Sequence, residues 1–364
     1  MTGTGVADGV VDSVKASAYT VPTDAPEADG TFAWDSTTLV LVEVSSGGVT
    51  GTGWTYGSPA CATVVARDLT AVVEGRKAMD VGGSWNAMRS KLRNIGRPGV
   101  AGMAMSAVDC ALWDLKARLL GLPLHRLLGA VHDDIPVYGS GGFTTYDDRQ
   151  LADQLSGWTE QGIPRVKIKI GGEPLERDLR RVAQARDVIG SGELYVDANG
   201  AYPVGEACRV AARLTAYDVT WFEEPVSSDD LAGLRTVRDR TGIDVTAGEY
   251  GYDLVYFERM SGAVDCLQVD VTRCGGITEL LRVAAVAEAH GLQISGHCAP
   301  GLHLAALSAV PNLRHLEWFH DHTRIESMLF DGLPSAAGGT VAPPDSPGHG
   351  LTWLPLAAST YRVA

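Results

Sequence analysis

From residue 135 onward, short apolar runs alternate with stretches of helical periodicity that are about a dozen residues long. There are eight such runs, and each except the last is followed by a helical stretch. In chain order the runs are IPVYGSG, RVKIKIG, ELYVDANG, VTWFEEP, DVTAGEY, CLQVDVT, LQISGHC and RHLEWF. This alternation predicts a parallel (β/α) barrel of the TIM type. A doubly wound open sheet is the alternative, but no Gly-rich dinucleotide-binding turn follows the first run.

The pattern before residue 130 is different. Residues 10–44 and 49–56 have the pattern of strands, and they flank a loop rich in Pro, Asp and Gly, PTDAPEADGTFAWDS. Residues 60–80 and 84–93 have helical patterns. A third helix is predicted over GVAGMAMSAVDCALWDLKARLLG, where apolar residues recur at helical spacing and Gly121 is a stop signal.

These patterns divide the chain into two units. We expect an α+β capping domain in residues 1–130 and the barrel in residues 131–330. Residues 331–364 are rich in Pro and Gly, as in APPDSPGHGLTW, and we expect this tail to return to the capping domain.

Composition and charge narrow the partners. With 45% hydrophobic and 20% charged residues, the chain has the composition of an ordinary soluble globular protein. Its 30 Lys and Arg against 44 Asp and Glu give a net charge of −14, which argues against nucleic acid or an anionic membrane as partner. The six cysteines have no CxxC or zinc-like spacing, and the start, MTGTGVADGV, has no signal-peptide pattern. We therefore expect a cytoplasmic protein with reduced thiols.

The run RVKIKIGG contains two lysines in an otherwise apolar strand. Lys167 and Lys169 alternate with Val166, Ile168 and Ile170, so both ammonium groups lie on one face of the strand. Because a buried charge requires a partner, this face must hold anionic groups.

The other predicted strands end in ionisable residues at a regular interval. After Lys169 these residues follow at steps of 28, 26, 26, 21, 27 and 20, each close to one βα unit, and they are Asp197, Glu223, Glu249, Asp270, His297 and Glu317. In a barrel of this type, the C-terminal strand ends meet at the catalytic face. The three carboxylates of Asp197, Glu223 and Glu249 predict an all-oxygen site for Mg²⁺, for which Mn²⁺ can substitute. Glu224 is expected to shape its loop and not to bind the ion.

The motifs VKIKIG, VDANG, WFEEP, AGE and GGIT, in this order, resemble those of the enolase superfamily. Asp270, followed by His297 one strand later and Glu317 on the last strand, resembles the mandelate racemase subgroup. The likeness covers essentially the whole chain and implies a modified (β/α)7β barrel with a capping domain. Lactonising enzymes and dipeptide epimerases of the superfamily place a lysine at the end of the sixth strand, where this chain has Asp270.

The resemblance also implies the role of each residue. Asp197, Glu223 and Glu249 match metal ligands, and Lys169 matches a general base. Lys167 matches the lysine that lowers the pKa of that base and touches the substrate carboxylate. His297, held by Asp270, matches an acid/base on the opposite face. Glu317 matches a protonated donor to the enolate oxygen, and Asn199 matches a residue near the substrate.

Elementary chemistry agrees with these roles. Removal of a proton α to a carboxylate creates an ene-diolate with two negative charges, which a divalent cation, a lysine and a protonated glutamic acid can stabilise. Two adjacent ammonium groups lower each other's pKa, so we expect Lys169 to be neutral and basic near pH 7.

The sequence therefore predicts an enzyme that enolises a small hydroxy acid, with a sugar acid as the first choice of substrate. Dehydration to a 2-keto-3-deoxy acid is the first choice of reaction, racemisation or epimerisation the second, and cycloisomerisation of a sugar-acid lactone the third. A non-catalytic barrel that binds an acid sugar is the remaining alternative. It is disfavoured because every predicted metal ligand and base is present in the sequence. We also expect a homo-oligomer, from dimer to octamer.

Residues outside the strand ends are assigned by position only. Ser140, Trp34 and Tyr56 are predicted substrate contacts, and Arg97 is a further candidate. His303 is expected to be structural. For His320 and His322, just past the last strand, substrate contact and loop capping both stay open.

Overall fold

The structure is a computed structural model and describes residues 9–364. The first eight residues, which belong to the predicted capping domain and to the start MTGTGVADGV, lie outside the described part. Residues 9–130 form an antiparallel sheet covered by helices, and most of the remaining chain forms a barrel.

The N-terminal sheet has three antiparallel strands in the order β1-β2-β3. These strands are β1 Ser13–Ala28, β2 Ala33–Ser46 and β3 Val49–Tyr56. Five helices follow, α1 Ala60–Val64, α2 Thr70–Val73, α3 Val81–Lys91, α4 Val100–Leu120 and α5 Leu124–Leu128, with a π-helical turn, Val65–Leu69, between the first two. The long helix α4 packs on β2 and β3 and ends at Gly121, whose φ of 66° is left-handed, as its stop signal predicts.

Two sequence predictions in this region are wrong in their bounds. The predicted loop over residues 22–36 is mostly strand, because β1 and β2 continue into it and leave only residues 29–32 as a turn. Pro22 and Pro26 lie on β1, an edge strand, where a missing backbone N–H is tolerated, and the pairing register shifts between Pro22 and Glu27. The helix predicted over residues 60–80 stops at Val73, since Glu74 is extended and Gly75 has a φ of 77°.

Eight parallel strands close into the predicted barrel. They are β4 Ile135–Gly141, β5 Arg165–Lys169, β6 Glu193–Asp197, β7 Val219–Glu223, β8 Asp244–Ala247, β9 Cys266–Val269, β10 Gln293–Gly296 and β11 Leu313–Phe319. Neighbours in the chain are neighbours in the sheet, and pairing of β11 with β4 closes the ring. The fold class predicted from the sequence is confirmed.

Helices connect the barrel strands. They are α6 Asp148–Glu160, α7 Leu175–Ile189, α8 Val204–Leu214, α9 Leu231–Arg238, α10 Leu254–Met260, α11 Gly276–Ala289 and α12 Pro300–Leu307. A further helix, α13 His320–Leu329, follows the last strand, where the sequence pattern indicated none. No helix in residues 9–364 is both long and apolar enough to cross a membrane.

The C-terminal tail bonds to both parts of the structure. Its short elements are β12 Phe330–Asp331, β13 Thr340–Val341, β14 Thr352–Trp353 and α14 Pro355–Ala358. Strand β13 pairs with β4 of the barrel, while the backbone of Val363 and Ala364 bonds to Ala18 of β1. The division of the chain at residues 130 and 330 stays a prediction.

Candidate active site

The structure brings all eight ionisable groups predicted at the strand ends to one face of the barrel, and all eight are buried. They are Lys167 and Lys169 on β5, Asp197 on β6, Glu223 on β7, Glu249 just after β8, Asp270 after β9, His297 after β10 and Glu317 on β11. Strand register makes some of them direct neighbours, because Lys169 pairs with Asp197 and Asp197 pairs with Glu223. The regular spacing in the sequence therefore corresponds to one cluster in space.

Sharp turns after the strands aim these side chains. Gly248, just before Glu249, has a φ of 136°, and a Cβ there would lie 2.2 Å from the carbonyl oxygen of Gln268. Asn199, Glu224 and Cys298 have φ values of 46°, 38° and 52°. Such left-handed conformations are strained for residues other than glycine, and they cluster where surrounding structure enforces them.

The carboxylates of Asp197, Glu223 and Glu249, which the sequence predicts to bind a cation, lie together in the structure. One oxygen from each of the three lies within 4.8 Å of the others. Lys167 Nζ donates to Glu223 at 2.5 Å, and Lys169 Nζ donates to Asp197 at 2.5 Å. Oε2 of Glu249 is buried and accepts no hydrogen bond among the described residues. This all-oxygen donor set with an unused buried oxygen fits a hard divalent cation such as Mg²⁺.

Charge balance gives a second reason for a divalent cation. Within the described strand ends, six acidic groups face four basic ones, which leaves two negative charges when all are ionised. The acids are Asp197, Glu223, Glu224, Glu249, Asp270 and Glu317, and the bases are Lys167, Lys169, Arg273 and His297. Burial and the charge of Asp197 raise the pKa of Glu223 to about 8, and burial with Glu249 raises the pKa of Glu224 well above its usual range. One divalent cation would remove this excess.

Lys169 is held as an ammonium in this arrangement. Burial favours its neutral form, but the charges of Asp197, Glu249 and Glu223 together outweigh burial and the neighbouring Lys167, so the pKa of Lys169 lies above its usual value. The neutral base expected from the sequence therefore requires that the charge of Asp197 be neutralised by another cation. This dependence couples the predicted base to the predicted metal site.

His297 and Asp270 form a bonded pair. His297 Nδ1 lies 2.8 Å from Oδ2 of Asp270, and Oδ1 of Asp270 accepts from the amide and hydroxyl of Thr272, both at 2.7 Å. Burial opposes the charged imidazole, but Glu249, Glu317 and Asp270 together raise the pKa of His297. With Nδ1 directed at Asp270, Nε2 is the nitrogen available for proton transfer.

Glu317 is an anion in this arrangement. Its Oε1 accepts from Ser140 Oγ at 2.6 Å and lies 2.8 Å from Lys167 Nζ. Burial favours the neutral acid, yet Lys167 and His297 hold the pKa of Glu317 well below its usual range. Glu317 therefore acts as the protonated donor that the resemblance implies only if its pairing with Lys167 and His297 changes. Ser140 itself is fully buried, bonds to Glu317 and is not among the residues that line the cavity, so its predicted substrate contact stays a prediction.

A cavity of about 380 Å³ opens above these groups. Of the predicted substrate contacts, it is lined by Trp34, Tyr56 and Asn199, together with Lys169, Glu249, His297 and Glu317. His322 also lines it, stacked on Tyr56 with ring centroids 3.5 Å apart. Burial lowers the pKa of His322 to about 3, and its Nδ1 accepts from the amide of Ala299. His322 therefore faces the cavity as a neutral imidazole.

Three other candidates lie elsewhere. Arg97 lines a separate groove of about 860 Å³, and His320 pairs with Asp24 at 3.0 Å, away from the cavity. His303 is buried and structural, since it accepts from the amide of Val271 at 3.0 Å and lies 2.8 Å from the carbonyl oxygen of Cys298.

The sequence did not lead us to predict Cys298 and Arg273 as cavity residues. Cys298 directly follows His297, and Arg273 lies three residues after Asp270, so their positions in the sequence could have indicated both.

The turn between β1 and β2 closes the cavity from above. Gly30 is needed there, because a Cβ would lie 2.4 Å from the carbonyl oxygen of Ala198 and 2.6 Å from that of Ile170. This close approach to the strand ends places Phe32 and Trp34 on the cavity wall. The capping domain therefore contributes the surface that a substrate meets.

A closed barrel whose rim combines three clustered carboxylates, a lysine pair and a His–Asp pair defines an enzyme of the enolase superfamily. Residues 150–357 match the family model "Enolase C-terminal domain-like". Residues 15–129 match the model "Mandelate racemase / muconate lactonizing enzyme, N-terminal domain". The chain belongs to the mandelate racemase/muconate lactonizing enzyme family and is a lyase or isomerase, which confirms the resemblance seen in the sequence.

Similar proteins include two sugar-acid enzymes. The 3,6-anhydro-alpha-L-galactonate cycloisomerase of Streptomyces coelicolor is 33% identical over 353 residues, covering 94% of this chain and 96% of the relative. The L-talarate/galactarate dehydratase of Salmonella typhimurium is 30% identical over 305 residues, covering 81% and 77%. A structure of that dehydratase liganded with Mg and L-lyxarohydroxamate has a TM-score of 0.90, with 26% identity over all of this chain and 96% of that one.

A third similar protein is known by its structure. It is a mandelate racemase/muconate lactonizing enzyme-like protein from Rubrobacter xylanophilus, with a TM-score of 0.96 and 51% identity. The match covers 97% of this chain and all of that one.

Magnesium is expected to raise the thermal midpoint of the protein. A ligand that binds only the folded state at a hundred times its Kd adds about 2.7 kcal/mol, which corresponds to a few degrees in a chain of this size. Asp197→Asn should largely remove the shift, whereas the exposed Asp187→Asn should keep it. Differential scanning calorimetry with and without Mg²⁺ measures both, and an equal shift in Asp197→Asn would place the ion elsewhere.

Proposed function

We propose that this enzyme removes the proton α to the carboxylate of a sugar acid and expels the oxygen substituent on the β carbon. With a hydroxyl as the leaving group, the reaction is dehydration to a 2-keto-3-deoxy acid. The observation that carries the proposal is that Lys169 and His297, which is bonded to Asp270, line one cavity. They enter it from β5 and β10, which are three strands apart around the barrel in one direction and five in the other.

Asp197, Glu223 and Glu249 are the residues that would hold Mg²⁺, and their oxygen ligands also suit Mn²⁺. When bound, the ion would supply a double positive charge beside the substrate carboxylate, where negative charge develops on enolisation. The relatives support this assignment in part, since the similar dehydratase structure contains Mg.

Lys169 is proposed as the base of the first step. Its Nζ lies on the cavity wall, and in its neutral form it accepts the α proton and becomes an ammonium. The electron pair of the broken C–H bond moves into the carboxylate, which becomes an ene-diolate. Lys167, buried between Glu223 and Glu317, contributes a fixed positive charge near those oxygens.

His297 is proposed as the acid of the second step. Its Nε2 donates a proton to the β oxygen as the C–O bond breaks, and the ene-diolate electrons form the new double bond of an enol. Asp270 stabilises the resulting tautomer through Nδ1. The enol then takes a proton at C3 and becomes the keto acid. If His297 instead returns a proton to the α carbon, the product is an epimer.

Cycloisomerisation is the second candidate, and one observation favours it. The cycloisomerase of S. coelicolor matches nearly the whole of this chain. The name of its substrate, 3,6-anhydro-alpha-L-galactonate, places a ring oxygen on C3, the carbon β to the carboxylate. Expulsion of that oxygen is the same elimination with an internal leaving group, and it opens the ring without loss of water. One active site can therefore serve either reaction, depending on the substrate that the cavity accepts.

A substrate screen separates these reactions. We expect the Mg²⁺-loaded protein to convert at least one aldonic acid, aldaric acid, sugar-acid lactone or anhydro sugar acid to a 2-keto-3-deoxy acid. Mass spectrometry distinguishes dehydration, which loses 18 Da as water, from cycloisomerisation, which keeps the mass. Epimers without keto acid would show racemisation instead. The cytoplasmic location and the homo-oligomer stay predictions.

A further inference from the structure

A second cluster of metal-binding side chains adjoins the Mg²⁺ site. Cys298 Sγ lies 3.3 Å from His297 Nε2 and 3.2 Å from Glu317 Oε2, and Nε2 lies 3.6 Å from that same oxygen. All three residues are buried and line the cavity. A thiol, an imidazole nitrogen and one carboxylate oxygen thus converge on a single point beside the cavity.

This triangle has the size of one face of a tetrahedral zinc site. Zinc lies at about 2.3 Å from cysteine sulfur and about 2.0–2.2 Å from imidazole nitrogen or carboxylate oxygen. Tetrahedral angles then place sulfur about 3.5–3.7 Å from the nitrogen and the oxygen, and the nitrogen about 3.3–3.5 Å from the oxygen. The distances in this structure are 3.3, 3.2 and 3.6 Å, so small shifts of the three side chains bring them to this geometry. A sulfur and nitrogen donor set favours zinc over Mg²⁺, which prefers oxygen.

The outer contacts are those that zinc sites use. His297 Nδ1 pairs with Asp270, which leaves Nε2 free to coordinate, as in the carboxylate–histidine pairs of zinc proteins. The other oxygen of Glu317, Oε1, is occupied by Ser140 and Lys167, so Oε2 faces the sulfur. The amide of Cys298 also donates to Oε2 at 3.1 Å, which fixes the two residues relative to each other.

We propose that His297, Cys298 and Glu317 form a second metal site that binds a thiophilic divalent cation, Zn²⁺, with its fourth position open to the cavity. On binding, the Cys298 thiol and Nε2 of the His297 imidazolium each lose a proton to solvent, and the sulfur–metal and nitrogen–metal bonds form. The site uses different residues from the Mg²⁺ site and adjoins it, since Oε2 of Glu249 lies 3.3 Å from His297 Nε2.

The expected consequence is inhibition. A cation on Nε2 of His297 removes the proton-transfer atom of the second step, and this consequence rests on the proposed function. The binding itself does not, so it can be tested without a substrate. Because the thiophilic cation and Mg²⁺ occupy different donor sets, excess Mg²⁺ should not displace it.

The test uses Co²⁺ as a spectroscopic substitute for Zn²⁺ in the full-length protein saturated with Mg²⁺. We expect an ultraviolet thiolate-to-cobalt charge-transfer band that saturates at one equivalent and disappears when one equivalent of Zn²⁺ is added. Cys298→Ser should lose the band, and His297→Asn should weaken Co²⁺ binding at least tenfold. Cys208→Ser, at the one cysteine of the six that is not buried, is the matched control and should keep the band.

Two results would overturn the proposal. One is a parent protein without a charge-transfer band at millimolar Co²⁺, and the other is a band that persists in Cys298→Ser. Circular dichroism and the Mg²⁺-induced thermal shift establish that each variant is folded, so loss of the band in a folded Cys298→Ser supports the site. If the band forms but no sugar acid turns over, the proposed function fails while the metal site stands.

Discussion

Lys169→Met is expected to abolish exchange of the substrate's α proton with solvent. Lys169 is the basic group at the end of β5 that faces the cavity, and methionine keeps its length but cannot accept a proton. Loss of general acid–base catalysis typically costs about 10²–10⁴-fold, and we expect at least this loss of turnover. Once a substrate is known, proton NMR in D₂O measures exchange directly. The exposed Lys15→Met is the control and should exchange at the parent rate.

The complementary variant is His297→Asn. It should still exchange the α proton, because Lys169 and the three carboxylates remain, yet it should fail to complete elimination or inversion. The exposed His290→Asn serves as its control. If Lys169→Met and His297→Asn both turned over at the parent rate, both groups would be misassigned.

Removal of the metal is expected to have an equally large effect. Chelation by EDTA should abolish turnover, and Mg²⁺ or Mn²⁺ should restore it, because without a cation the pKa of Lys169 stays raised by Asp197. Glu223→Gln removes a proposed ligand and should weaken Mg²⁺ binding by at least about 10–100-fold, the cost of losing even an outer-shell partner. Isothermal titration calorimetry measures the affinity, with the exposed Glu160→Gln as control.

The outcome that contradicts the metal assignment is undiminished activity in a sample shown by elemental analysis to be metal-free. Unchanged Mg²⁺ affinity in folded Glu223→Gln would place the ion outside the three-carboxylate cluster.

The barrel and its rim were predictable because both depend on local periodicity. Each βα unit has a similar length, so a residue type that recurs at that interval, such as Asp197 and Glu223, must appear at the same end of successive strands. The alternation of strands and helices is therefore enough to place the eight ionisable groups at one end of the barrel, without any contact information.

The structure of the capping region was harder to predict from the sequence because it depends on long-range contacts. Pro22 and Pro26 indicate a loop by composition, yet the edge position of β1 tolerates both prolines. The cavity wall depends on how the turn at Gly30 meets the strand ends, and no local pattern encodes that approach. Of the substrate contacts that were predicted by position, Trp34 and Tyr56 line the cavity, whereas Ser140 is buried below it and Arg97 lines another groove.

The protonation states were the feature of the site that the sequence predicted least well. The neighbouring Lys167 led us to expect a neutral Lys169, but the contact with Asp197 has the larger effect. Similarly, Lys167 holds Glu317 as an anion, where the resemblance implies a protonated donor. Both depend on distances of a few ångströms between residues on different strands, which sequence spacing does not provide.

The most direct test of the account is the fate of the α proton in D₂O. The Mg²⁺-loaded protein is incubated with the sugar acids, lactones and anhydro sugar acids of the substrate screen, and proton NMR follows the α position. We predict that at least one compound loses its α proton and gives a 2-keto-3-deoxy acid with deuterium at C3, and that Lys169→Met does neither. A folded, Mg²⁺-loaded protein that leaves the α proton of every compound unexchanged would contradict the account.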